Sequence, residues 1–138
     1  MRNMNPKNTR TQWFTEARFG MFIHWGLYSN PAGVWQKKKI THSYSEWLQA
    51  SERVPRAEYR KLATSFNPVN FDAEAWTSLA KSAGMKYLII TAKHHDGFAL
   101  WPSRASGYNI KDATPFRRDI LGELTTACRK FDIRLGFY

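Results

Sequence analysis

DAEAWTSLAKSAGMKYLIITA, residues 72–92, carries two secondary-structure periods in succession, and their order decides the fold. Asp72 has the short acceptor side chain that suits a helix N-cap. Trp76, Leu79, Ala80 and Ala83 then recur at i, i+3, i+4 and i+7, one face of a helix. Gly84 is placed to end that helix in a left-handed conformation. Residues 86–92 follow as an apolar run with the length of a buried strand. Toward the C-terminus the couplet repeats. A polar loop through Pro102, Gly107 and Pro115 leads to Ile120, Leu121, Leu124, Ala127, Cys128 and Phe131 on one helical face, and residues 133–138 read as another strand. Toward the N-terminus, a helical turn at 13–18 leads into FGMFIHWG, residues 19–26, a third buried strand. Between it and Asp72 lie a long loop at 27–44 and short helices at 46–50 and 55–64, with Pro55 suited to a first helical position.

The resulting order is strand, helices, strand, helix, strand, with no internal repeat. Alternation of this kind implies parallel strands joined by right-handed crossovers. The fold class is therefore α/β. A (β/α)8 barrel takes about 250 residues, so 138 residues hold only about three of its β/α units.

Composition supports one globular unit. Hydrophobic residues make up 43% and charged residues 23%, which excludes a wholly disordered chain. No apolar run approaches the roughly 20 residues of a membrane span. The single cysteine excludes an intrachain disulfide and a multi-cysteine zinc site. Residues 1–10 are polar and basic with no secretory signal, so the expected location is the cytoplasm. The formal charge of +10 raises nucleic acid as a partner. Against it, only Lys37-Lys38-Lys39 and Arg117-Arg118 form basic runs, and neither an RNP-like aromatic strand nor a helix-turn-helix pattern is present.

In parallel α/β folds, ligands collect at the C-terminal ends of the strands. His24 lies at the end of the first strand, and Lys93-His94-His95-Asp96-Gly97 directly follows the second. Any one of these histidines is readily a residue bonded to backbone; three at matching strand ends describe a polar ligand site. Metal binding is disfavoured, because neighbouring residues of an extended chain point to opposite sides and no H-x-H or HExxH spacing occurs. Cofactor and nucleotide fingerprints are absent, as is a GxSxG elbow, and Cys128 falls on an apolar helix face as a core residue. Trp25, Trp35, Trp47, Phe98 and Trp101 sit in or beside loops, where core packing would not require them. Aromatic platforms beside histidine and carboxylate hydrogen-bonders suit a sugar, whose faces are apolar and whose edges carry hydroxyls. Glu46-Trp47 supplies one such pair.

These motifs together resemble the N-terminal part of the glycoside hydrolase family 29 α-L-fucosidases. The likeness rests on residues 19–26, on Ser45-Glu46-Trp47, on Lys93-His94-His95-Asp96-Gly97-Phe98 with Leu100-Trp101, and on residues 116–138. It implies that the chain is the incomplete N-terminal portion, residues 1–138, of a (β/α)8-like catalytic barrel that removes terminal L-fucose with retention of configuration. It implies that His24, Glu46, Trp47, His94 and His95 bind the fucose hydroxyls, and that Phe22 lines the pocket for the C5 methyl. Phe22 and His24, two residues apart, share a strand face. Asp96 is read as orienting a histidine. The family's nucleophile and its usual acid/base lie downstream of the strand at 133–138, so no catalytic residue is assigned within this chain, with Glu46 as an auxiliary near the acid/base position. The implied substrate is a fucosylated glycan or glycoside, without metal or other cofactor. The implied partner is the remaining part of the barrel as a second chain, and the 138 residues alone are expected to be inactive. The alternative is a stand-alone, non-catalytic sugar-binding module.

Overall fold

The computed structural model describes residues 9–138; the reading of the N-terminus as free of a secretory signal falls largely on residues 1–8, outside them. In chain order the elements are α1 (Thr9–Ala17), β1 (Gly20–Ile23), β2 (Val34–Trp35), β3 (Lys38–Lys39), α2 (Leu48–Ser51), α3 (Arg56–Tyr59), α4 (Ala73–Ser82), β4 (Tyr87–Ile90), α5 (Ile110–Ala113), α6 (Ile120–Lys130) and β5 (Arg134–Phe137). Strands β1, β4 and β5 form one parallel sheet in that spatial order, with Phe22 opposite Ile89 and Ile89 opposite Gly136. This is the α/β order expected of the opening part of a (β/α)8 barrel.

One face of the sheet is packed by helices. Leu88 and Ile90 are fully buried there, together with Ile120, Leu124, Ala127 and Cys128 from α6. Asp72 caps α4 as expected, accepting from the Ala75 N–H, and Asp119 caps α6 in the same way, accepting from the Gly122 N–H, each at 2.9 Å. Gly84 ends α4 at φ +83°, and the following Met85 N–H returns to the Ala80 carbonyl. The buried stripe of α4 has a different phase from the expected one. Ala73, Thr77 and Ala80 are buried with Trp76 against the core, whereas Leu79 is 63% exposed and Ala83 is exposed. Both sets satisfy the i, i+3, i+4, i+7 spacing. The Thr77 hydroxyl donates to the Ala73 carbonyl, which makes that polar residue acceptable in the buried set.

The other sheet face carries Phe22, Ile89 and Gly136 and is only partly covered, with Phe22 48% exposed. At its lower end α1 lies across the strands. Trp13 and Phe14 pack on Tyr87 at 6.2 and 5.3 Å between ring centroids, and the Arg134 guanidinium sits 4.4 Å over Trp13.

Two connections hold more structure than the sequence indicated. The stretch read as a loop at 27–44 contains the β2–β3 hairpin, whose turn residues Gln36 and Lys37 both adopt positive φ. That turn normally takes Asn or Gly, so the sequence carries no signal for it. The loop after β4 contains α5, capped by Asn109, whose Oδ1 accepts from the N–H groups of Lys111 and Asp112. Among the described residues no helix is long and apolar enough to cross a membrane.

Candidate functional site

Four segments meet at the C-terminal ends of the sheet strands. His24 directly follows β1, the pair His94-His95 lies beyond β4, and Tyr138 directly follows β5. The fourth is a short helical turn, Ser45–Trp47, that delivers Glu46 and Trp47. His24 stacks on Phe22, with centroids 4.7 Å apart and planes 21° from parallel, as their shared strand face requires. His94 stands between the strands, 5.7 Å from His24, 5.7 Å from Tyr138 and 5.7 Å from Tyr28. Trp47 covers His95 at 4.1 Å. Every residue expected to touch the sugar therefore belongs to one neighbourhood.

A turn, not a strand, sets the histidine pair. The His94 carbonyl accepts the Gly97 N–H at 3.0 Å, and Gly97 takes φ +76°, a conformation that favours glycine. The expectation that His94 and His95 point apart is thereby corrected: their rings lie 4.5 Å apart, edge to face, because the chain has already left the extended conformation. Among the described residues no group of three or more His, Cys, Asp or Glu is placed to hold a metal ion.

Asp96 is buried at 6% exposure, and its hydrogen bonds also differ from the expectation. Rather than bonding a histidine, it accepts from the Phe98 N–H through Oδ1 at 3.1 Å and from the Tyr59 hydroxyl through Oδ2 at 3.2 Å. Its carboxylate anchors the turn to α3 and reaches His95 only through its charge. The expected loop aromatics divide. Trp25 packs into the core against Phe66, Phe71 and Trp76, and Phe98 is buried, while Trp47 stands at the site. Trp35 and Trp101 are half-buried and pack against the core.

Electrostatics suit a neutral, polar ligand. Burial pushes the His94 imidazole below its ordinary pKa, and the neighbouring His95 and His24 act in the same direction, against Glu46. Its Nδ1 is buried without a hydrogen-bond partner, so His94 holds a free polar atom inside the cluster. Tyr28 is pushed up to about 12 by burial and remains a neutral phenol. Neutral imidazoles can both donate and accept, which is what a sugar hydroxyl needs. No sequence pattern marks Tyr28 or Thr91 as part of the site. Tyr138 carried a usable signal, since it ends the third strand as His24 and His94 follow the first two. Tyr28 sits in an unpatterned loop and carried none.

Comparison with known proteins gives a single family. The family model described as Alpha-L-fucosidase matches residues 2–138. The tissue alpha-L-fucosidase of Rattus norvegicus is 42% identical over 135 residues, covering 92% of this chain and 29% of the rat protein. Among solved structures, the alpha-L-fucosidase AlfC from Lactobacillus casei in complex with α-L-fucose product superimposes with a TM-score of 0.89 at 50% identity. It covers 95% of this chain and 40% of that one. A GH29 alpha-L-fucosidase from Bacteroides thetaiotaomicron, trapped as a covalent intermediate with 2-fluoro-fucosyl fluoride, superimposes with a TM-score of 0.90 at 44% identity. There the overlap is 97% of this chain and 30% of that one, so the chain spans well under half of each relative.

Proposed function

Because the chain belongs to the glycoside hydrolase family 29 α-L-fucosidases, we propose that it supplies the fucose-binding part of a retaining α-L-fucosidase barrel. The observation that carries this is the convergence of His24, His94, His95, Trp47 and Tyr138 in one cluster of ring contacts, with the buried His94 Nδ1 unpartnered. In this reading His24, His94, His95 and Glu46 share the fucose hydroxyls, Trp47 shields the pocket, and Phe22 meets the C5 methyl. A 6-deoxy sugar presents both a hydroxyl edge and an apolar corner, and the cluster has a wall for each.

Retaining hydrolysis needs two carboxyl groups about 5–5.5 Å apart, one to attack the anomeric carbon and one to protonate the leaving oxygen. Glu46 is the carboxylate that faces the histidines, acting on both His94 and Tyr28. The oxygens of Asp96 are taken by Tyr59 and Phe98. The bond-breaking pair is therefore assigned to the part of the barrel that these residues do not include. This chain's contribution is to bind and orient the fucosyl ring so that its anomeric carbon faces that part. The substrate is then a fucosylated glycan or glycoside, and the partner is the remainder of the barrel.

The test is titration of L-fucose into the chain, followed through the histidine ring resonances by NMR, with D-glucose as the control. Saturable shifts of His24, His94 and His95 with fucose and none with glucose are expected. Equal responses to both sugars, or none to either, would overturn the proposal.

A further inference from the structure

Between the ends of β1 and β4 lies a buried hydroxyl whose residue bonds the backbone on both sides of His24. Thr91 is 1% exposed and follows β4 directly. Its Oγ1 accepts the Trp25 N–H at 2.9 Å and donates to the Trp25 carbonyl at 3.0 Å. The Tyr28 hydroxyl lies 3.0 Å from the same atom. A threonine hydroxyl has one proton and two lone pairs. The proton goes to the Trp25 carbonyl, nearer than the Ile23 carbonyl at 3.5 Å; with one lone pair on the Trp25 N–H, the remaining lone pair makes Tyr28 the donor. The hydroxyl is saturated. The Thr91 backbone adds a further tie, its N–H donating to the Ile23 carbonyl at 3.0 Å.

His24 is the residue between Ile23 and Trp25, so Thr91 grips the backbone on both sides of it. β1 has ended one residue earlier, and no ladder hydrogen bond fixes the backbone beyond it. Tyr28 extends the same latch to a second histidine, because its ring meets His94 edge to face. Carrying the fucose-binding reading of this site one step further, we propose that Thr91 is a positioning residue for that site, setting the ring of His24 through Trp25 and that of His94 through Tyr28. The side chain itself is enclosed in the core. Its effect is to make two histidines from different loops present one fixed spacing to a sugar.

Three variants of the 138-residue chain test this with histidine ring resonances and L-fucose titration. Thr91→Val keeps the shape and removes the hydroxyl, leaving the Trp25 N–H, the Trp25 carbonyl and the Tyr28 hydroxyl without their partner. It is expected to shift the His24 and His94 resonances before any sugar is added, and to weaken fucose binding at least tenfold. Thr91→Ser restores the hydroxyl and is expected to return both. Tyr28→Phe removes only the second arm and is expected to move His94 while His24 stays in place. His42, 3.1 Å from the Glu52 carboxylate, serves as the internal reference. Unchanged His24 and His94 resonances in Thr91→Val would overturn the proposal. Should that variant fail to fold, an unmoved His94 in Tyr28→Phe, or a shifted His24 in Thr91→Ser, would do so. Absence of fucose binding in the wild-type chain would overturn the functional reading alone, since the ligand-free resonances still report the latch.

Discussion

Replacing Asp96 by alanine isolates the bond network that holds the histidine turn. The side chain is 6% exposed and accepts two hydrogen bonds, from the Phe98 N–H at 3.1 Å and from the Tyr59 hydroxyl at 3.2 Å. Truncation leaves both donors buried without a partner. Each such orphan costs about 1–3 kcal/mol, so the expected loss is about 2–6 kcal/mol. The carboxylate's own environment modifies that figure with pH. Burial pushes the Asp96 pKa above its ordinary value, against the two donors that lower it. A raised folded-state pKa means that the folded chain holds the proton more tightly than the unfolded chain. The stabilisation is thus fully present below the unfolded pKa near 3.8 and lost as pH rises through the folded one. The gap between wild type and Asp96→Ala must therefore be wider near pH 4 than near neutrality. Titration of His94 contributes equally to both proteins and cancels to first order. Urea unfolding at both pH values, read by linear extrapolation, measures the gap. Asp96→Asn keeps an acceptor for Phe98 and is expected to lose about 1 kcal/mol with no such pH dependence. A loss under about 1 kcal/mol for the alanine variant, or a gap that does not widen in acid, would refute the anchoring role.

His24→Ala and His95→Ala are each expected to weaken L-fucose binding about tenfold or more, equivalent to about 1.4 kcal/mol; unchanged affinity by calorimetry would place the sugar elsewhere. For His94 the folded pKa is lowered, so its contribution to stability is present above about 6.5 and is lost as pH falls through the folded value. His94→Gln should remove that acid-limb loss from the urea midpoints, and an unaltered pH profile would contradict it. EDTA is expected to leave fucose binding unchanged, and a stoichiometric metal by elemental analysis would oppose that outcome. Gly20 faces the Tyr87 ring, which an added Cβ would strike. Gly20→Ala should destabilise by about 1–3 kcal/mol, with Tyr87→Ser relieving part of the loss in the double variant, and strict additivity would argue against the clash.

Periodic, local signals were legible in the sequence. The cap at Asp72, the helix end at Gly84 and the alternation of strands with helices each depend on neighbours within a few residues. Residue chemistry at a strand end was legible for the same reason: a residue that directly follows a parallel strand has its end of the sheet fixed by the topology alone, as for His24. The phase of the α4 stripe was not legible, because two sets of residues fit one period and only packing against the sheet and α6 chose between them. Nor was the pairing of His94 with His95, which needed the Gly97 turn, or the partners of Asp96 and Thr91. Tyr59 is 37 positions from Asp96, and Trp25 is 66 positions from Thr91. Such bonds join groups whose separation in the chain carries no period, and any buried hydroxyl or carboxylate satisfies the same local pattern. The sequence by itself determined which residues stand at the mouth of the sheet. The tertiary structure decided how they are held, because that depends on which distant donors the closed core brings within reach.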